Sequence, residues 1–284
     1  MIKYMKKKQH RTYRENKLMK HKRISSESSI ILILIKELLM LPVEIIKFFF
    51  GKSKKNPFSK IVNLLKEYIN ETKFTTTIIF ANIITYIASG FFSEELFILL
   101  ANSPVNMLSG RLYSLITSGF LHANITHLLG NCLFIFIFGR VVERELGTVK
   151  TGLTYFGAMI IAAFFSNLIY ILFLNQNILG VGASGALMGL VSTAMLLDPF
   201  YLTYIYIIPV PIVFVGWMAI YGDIIGILNP SGSNIGHFAH IGGFISIGLL
   251  MYFFNRKERE RMRKGIYINI ISVILALIIL SIII

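Results

Sequence analysis

The stretch "GVGASGALMG" (residues 180–189) sits in a chain that is otherwise nearly continuous oily sequence. At its centre is Ser184, with Gly182 two residues before it and Gly185 directly after. Small residues let two helices approach closely in lipid, and that is the bland reading of such a stretch. A serine cleared of neighbouring side chains is also one that an extended peptide can reach. The choice between the two depends on what else in the chain can stand beside Ser184.

Of the 284 residues, 55% are hydrophobic, and the mean hydropathy is +0.69. This composition makes the chain an all-α polytopic membrane protein, long enough for six or seven spans of roughly 20 residues. A single cysteine, Cys132, excludes an internal disulfide and a thiolate metal cluster. The net charge of +14 is unevenly spread. Ten of the 28 Lys and Arg fall in residues 1–28, six in 51–73, six in 236–284 and none in 151–235. Clustering of this kind marks cytoplasmic segments flanking spans. Basic segments there also hold to anionic lipid, so membrane lipids are the expected partner and nucleic acid is not. The basic stretch 6–23 lacks the short apolar core and cleavage site of a secretory signal.

Hydrophobic runs mark spans at about 74–93, 126–142, 151–175, 183–198, 201–222 and 236–254, and a seventh run closes the chain at 267–284. The segment 30–51 is interrupted by Lys36, Glu37, Pro42, Glu44 and Lys47, and reads as an amphipathic helix lying in the membrane interface. Three parts follow: a basic cytoplasmic region (1–73), a six-helix core (74–254), and a basic loop with an extra C-terminal membrane helix (255–284). With the N-terminus inside, the basic segments 139–150 and 255–264 return to the inner side, which matches their charge. The loop 94–125 then lies outside; a loop that long either folds onto the protein or is functional.

Histidines occur at 10, 21, 122, 127, 237 and 240, the last four near the outer ends of spans. An ionisable residue at membrane depth is expensive and is functional by default. Ser184 opens the fourth span and His240 lies about a turn into the sixth. Both spans run outside to inside, so the two residues share a depth in the outer third of the bilayer. Serine becomes an effective nucleophile when an adjacent base takes its proton, and histidine is the usual base. His127 and Asn131, four residues apart at the start of the second span, share a helical face. Both can donate hydrogen bonds to a developing oxyanion, as can the Ser184 backbone N–H. The outer carboxylates are Glu94, Glu95 and Asp223. None is expected to orient His240, so the sequence predicts a Ser184–His240 dyad with neither metal nor cofactor.

The set "HANITHLLGN" (122–131), "GRVVERELG" (139–147), "GASGALMG" (182–189) and "AHIGG" (239–243) resembles the rhomboid family of intramembrane serine proteases, in the family's order. The resemblance covers about residues 74–254. It implies a six-transmembrane-helix bundle, to which this chain adds its seventh helix, and a site that cleaves transmembrane segments of single-pass proteins. It assigns Ser184 and His240 to catalysis, His127 and Asn131 to the oxyanion, and Gly139, Glu143 and Gly147 to an inner-loop motif. It also implies that the fifth span and residues 221–236 act as gate and cap. This chain departs from the family in two places: Tyr113-Ser114 stand where a Trp-Arg pair is usual, with Arg111 upstream, and Met188 stands where an aromatic usually packs on the catalytic histidine. His122 and His237 are expected to serve structure through hydrogen bonds.

The alternative reading within the same fold is a catalytically inactive relative that binds membrane clients as a chaperone. Against it, both the serine and the histidine are present. A metalloenzyme built on the four outer histidines would have only Glu94, Glu95 and Asp223 as outer carboxylates, and the HExxH pattern is absent. A transporter would show an inverted repeat, and none is visible.

Overall fold

The computed structural model describes residues 36–53, 55–205, 208–229 and 236–283. The basic stretch 1–35 and the cap segment 230–235 therefore lie outside the described residues. Two compact units make up the chain, Met1–Glu71 and Thr72–Ile284.

In the first unit, helix α1 covers 36–49 and α2 covers Ser59–Glu71. Leu39, Val43 and Ile46 recur along α1 at four- and three-residue steps, Phe50 follows just past its end, and all four are exposed. Val62, Leu65 and Ile69 repeat the pattern along α2, with Phe58 directly before its start. Such stripes define amphipathic helices. The first was expected from the sequence, whereas the second was hidden in a segment read only as basic.

The second unit is mostly helical. It runs α3 (Lys73–Ser89), α4 (Glu94–Leu100), α5 (Pro104–Leu108), α6 (Ser114–Thr117), α7 (Ile125–Leu146), α8 (Thr148–Leu174), α9 (Ser184–Leu197), strands β1 (Leu202–Ile205) and β2 (Ile208–Pro211), α10 (Ile212–Leu228), α11 (His237–Phe253) and α12 (Arg256–Ile283). Helices α7, α8 and the Arg256–Ile279 part of α12 are long and apolar enough to cross a membrane; α9, α10 and α11 are shorter apolar helices. Helix α9 is buried along nearly its whole length and forms the centre of the bundle, packed against α8, α10, α11 and α12.

Two stretches differ from the sequence reading. The fifth span was expected at 201–222, but β1 and β2 pair antiparallel there, Leu202 opposite Pro211, and α10 begins only at Ile212. Pro209 and Pro211 explain the shift, since each lacks a backbone donor and disfavours helix at the residue before it. The basic segment 255–264 is not a loop either. It forms the first turns of α12, where Arg256 and Glu260 pair one turn apart at 2.9 Å.

Glu143 organises one end of this unit. Its carboxylate accepts from the backbone N–H groups of Phe74 and Thr75 at 2.8 and 2.9 Å, and from the hydroxyls of Thr75 and Thr148 at 2.8 and 2.9 Å. One buried anion thus caps the start of α3 and holds that of α8, where the helix dipoles favour negative charge. Gly139 lies against Thr75, and Gly147 turns the chain between α7 and α8 at φ +81°. The basic start of α12 meets this end through Lys150–Glu258 at 2.7 Å and Arg261–Glu145.

The 90–124 loop folds onto the helices. Ser93 and Ser103 cap α4 and α5. The Asn106 amide donates to the carbonyls of Ile98 and Ala101, and Arg111 donates to the Asn106 oxygen at 2.9 Å. Asn102 and Asn167 exchange side-chain amide bonds, which fastens the loop to α8.

Candidate active site

The chain entering α9 is held from two sides. Asn102 and Gly180 exchange backbone bonds at 3.0 and 2.7 Å, and the Gly182 N–H donates to the Ser118 carbonyl at 2.9 Å. Gly182 has φ +118°, a region that side-chain-bearing residues rarely adopt, and a β-carbon there would stand 2.6 Å from the His127 ring. Only glycine fits. Ser184 is the first residue of α9, half-buried, and the first intrahelical bond of that turn runs from the Leu187 N–H to the Ala183 carbonyl. The earlier N–H groups, Ser184's among them, have no acceptor within the helix.

His127 and Asn131 stand at the start of α7, where the Asn124 side chain caps the helix by accepting from the His127 N–H at 2.8 Å. The Asn131 amide nitrogen would lie 3.4 Å from a β-carbon on Gly182, so it faces the backbone just before Ser184. The same nitrogen is 3.0 Å from His122 Nε2, and His122 Nδ1 is 3.2 Å from the Phe120 carbonyl oxygen. A carbonyl only accepts, so Nδ1 carries the proton and Nε2 accepts from Asn131. Burial pushes the His122 imidazole down to about 4, with His127 nearby adding to the effect. His122 is therefore neutral at ordinary pH and orients the Asn131 amide, whose second N–H remains available.

His240 lies one turn into α11, which runs alongside α9. A β-carbon on Gly185 would sit 3.7 Å from the Ala239 carbonyl oxygen, so the residue after Ser184 faces the residue before His240. His127 and His240 are within electrostatic reach of each other. The amino-terminal ends of α7, α9 and α11 thus gather Ser184, His240, His127 and Asn131 at the end of the unit opposite Glu143. Helix packing sets the residue after Ser184 against the residue before His240; among the described residues no hydrogen bond joins the Ser184 hydroxyl to His240.

One expectation is overturned. A carboxylate does orient His240: Asp223, 5% exposed, places Oδ1 at 2.8 Å from His240 Nδ1 and also 2.8 Å from His237 Nδ1. The sequence reading ended the fifth span at 222 and so left Asp223 beyond the helix. The hairpin delays α10 to Ile212, which carries Asp223 inside the helix and against α11. The three ligand atoms lie within 4.8 Å of one another, and His-His-Asp is a donor set known to hold divalent metals. The 2.8 Å separations are those of direct hydrogen bonds.

Two further expected features are now placed. Met188 is buried within α9. Ser114 is buried at the start of α6, whereas Tyr113 is exposed.

A bundle of apolar helices, three of them long enough to cross a membrane, defines an integral membrane protein, and one end of it gathers a serine, histidines and a buried carboxylate. The Rhomboid domain family model matches residues 109–258, and the chain belongs to the rhomboid family. The Rhomboid protease AarA of Providencia stuartii is 30% identical over 223 residues, covering 70% of this chain and 77% of that protein. RHOMBOID-like protein 4 of Arabidopsis thaliana is 36% identical over 141 residues, covering 50% of this chain and 33% of that protein. The chloroplastic Rhomboid-like protein 11 of the same plant is 39% identical over 84 residues, covering 30% of this chain and 29% of its own length. The chain thus spans about a third of the length of these plant relatives.

Proposed function

We propose that the protein is an intramembrane serine endopeptidase that cleaves transmembrane segments of single-pass membrane proteins. Ser184 Oγ attacks the scissile carbonyl carbon while His240 Nε2 takes its proton. His240 then gives that proton to the leaving amine, and the acyl group on Ser184 is released by a water that His240 deprotonates. Asn131, His127 and the Ser184 N–H donate to the oxyanion. The observation that carries this reading is the close packing of α9 on α11 beside Ser184 and His240. Catalytic hydrogen bonds are often long in a resting enzyme and tighten when substrate binds.

Helix length supports a site within the membrane. Fourteen residues of α9 span about 21 Å, against about 30 Å of hydrocarbon. With its far end level with one surface, Ser184 is recessed by about 9 Å from the other. Backbone at that depth is normally locked in helix, so a substrate has to unwind to be cut, which favours segments with helix-weakening residues near their outer end. The basic start of α12, at the Glu143 end, supports an inward orientation for that end and an outward one for the active site. On this reading the N-terminus is cytoplasmic, 74–254 is the catalytic core, and α1 lies in the inner interface.

A fluorophosphonate reagent tests the nucleophile directly. It is expected to label the wild type in liposomes, to leave Ser184→Ala unlabelled, and to label His240→Ala far more slowly. Equal labelling of wild type and Ser184→Ala would remove the assignment.

A further inference from the structure

We infer that Asp223 is the positioning residue of the base, so that the site works as a Ser184–His240–Asp223 relay whose carboxylate is held in place by a second imidazole, that of His237. This inference rests on the reading of Ser184 and His240 as nucleophile and base.

An ionised carboxylate has only lone pairs to offer, so the two bonds it accepts at Oδ1 require a proton on Nδ1 of both His237 and His240. In a neutral imidazole the proton on Nδ1 leaves Nε2 with its lone pair, and a lone pair on Nε2 is what the general base needs. Without the carboxylate the ring is free to take the other tautomer, which cannot accept from serine. Asp223 also faces the positive charge that appears on His240 when it takes the serine proton. Shielded from water, that attraction is worth several times its value in solution.

The second imidazole has its own structural provision. His237 and His240 are three residues apart and so share one face of α11. On the facing helix a β-carbon at Gly226 would stand 2.2 Å from His237 Nε2, so the glycine lets the ring lie against the α10 backbone. Asp223 is thereby fixed by two donors at once. Among the described residues, His127 of α7 is a further ionisable group within electrostatic reach of His240; on α8, Tyr170 packs edge-on against Phe238 at 5.6 Å. Because the carboxylate stands on α10 and both imidazoles on α11, the base is oriented only while these two helices are docked.

The test uses the full chain in liposomes with a single-pass reporter, comparing wild type, Asp223→Asn, Asp223→Glu, His237→Gln and Ser184→Ala. In a water-soluble serine protease the corresponding carboxylate-to-amide change costs about 10,000-fold in kcat. Asp223→Asn is expected to lose about 100-fold or more in kcat with KM within about threefold, and to slow fluorophosphonate labelling of Ser184 in parallel. Its thermal midpoint is expected to stay close to that of the wild type. Asp223→Glu is expected to recover part of the kcat, and His237→Gln to lose about tenfold. The inference is overturned if Asp223→Asn keeps kcat near wild type while Ser184→Ala is inactive, or if its whole loss lies in KM or in unfolding. It is also overturned if a chelator silences the wild type, because Asp223 would then be a metal ligand. Cleavage by Ser184→Ala would instead remove the nucleophile assignment on which the relay depends.

Discussion

A β-carbon on Gly243 would stand 2.0 Å from the carbonyl oxygen of Gly185, so α9 and α11 meet backbone to backbone directly beside the candidate nucleophile. Nothing flexible lies at that contact, and an added methyl group has to push the helices apart. Overpacking a buried contact costs about 1–3 kcal/mol. Gly243→Ala is expected to lower the thermal midpoint in detergent and to reduce cleavage by more than the loss of folded protein accounts for. Gly248→Ala, on the same helix but with open space around it, is the control and is expected to change neither.

The Glu143 carboxylate receives four hydrogen bonds from two helix starts. In Glu143→Gln an amide group replaces one oxygen and turns a donor towards groups that themselves donate. Hydrogen bonds to charged groups are worth about 1.5–3 kcal/mol each and do not add fully, so a loss of about 2–4 kcal/mol is expected. Chemical or thermal unfolding in detergent measures it, and hydrogen exchange at Phe74 and Thr75 should quicken. An unchanged stability would show that the capping is energetically empty.

On the proposed mechanism Asn131→Ala removes one oxyanion donor while leaving the helices in place. A kcat lower by about 100- to 1,000-fold with KM nearly unchanged is expected in the reporter assay. A loss confined to KM would assign Asn131 to substrate binding.

His122 introduces a pH dependence. Its folded value of about 4 lies below the ordinary 6.5, so on acidification the unfolded chain takes up a proton before the folded one does. The stabilisation is complete above about pH 6.5 and is lost as pH falls towards about 4. The thermal midpoint of the wild type is expected to drop across this window, and His122→Asn is expected to flatten that drop.

The helical core was legible because its polar residues are few. The runs beginning near 126, 151, 183 and 236 in the sequence are α7, α8, α9 and α11, each within a few residues of its expected start. Ser184, His127, Asn131 and His240 stood out because an apolar helix has little reason to carry them. Asp223 was missed for a reason of geometry. Two prolines inside an apolar run turned the first half of the fifth span into a hairpin, moved the helix, and brought a carboxylate 17 residues from His240 into contact with it. The signal was present, since an ionisable residue next to a membrane helix needs a partner and two histidines were nearby. The capping role of Glu143 was equally hidden, because Thr75 lies 68 residues away and no periodicity links them. The basic stretch before the last helix read as a loop because charge was weighed above the i,i+4 pairing that keeps it helical.

The most direct measurement of the central claim is cleavage of a single-pass reporter, with a helix-weakened outer segment, by wild type and Ser184→Ala in liposomes. The account predicts that the wild type cuts within the reporter's membrane segment, with or without chelator, and that Ser184→Ala does not cut. Cleavage by both proteins at the same rate would contradict it.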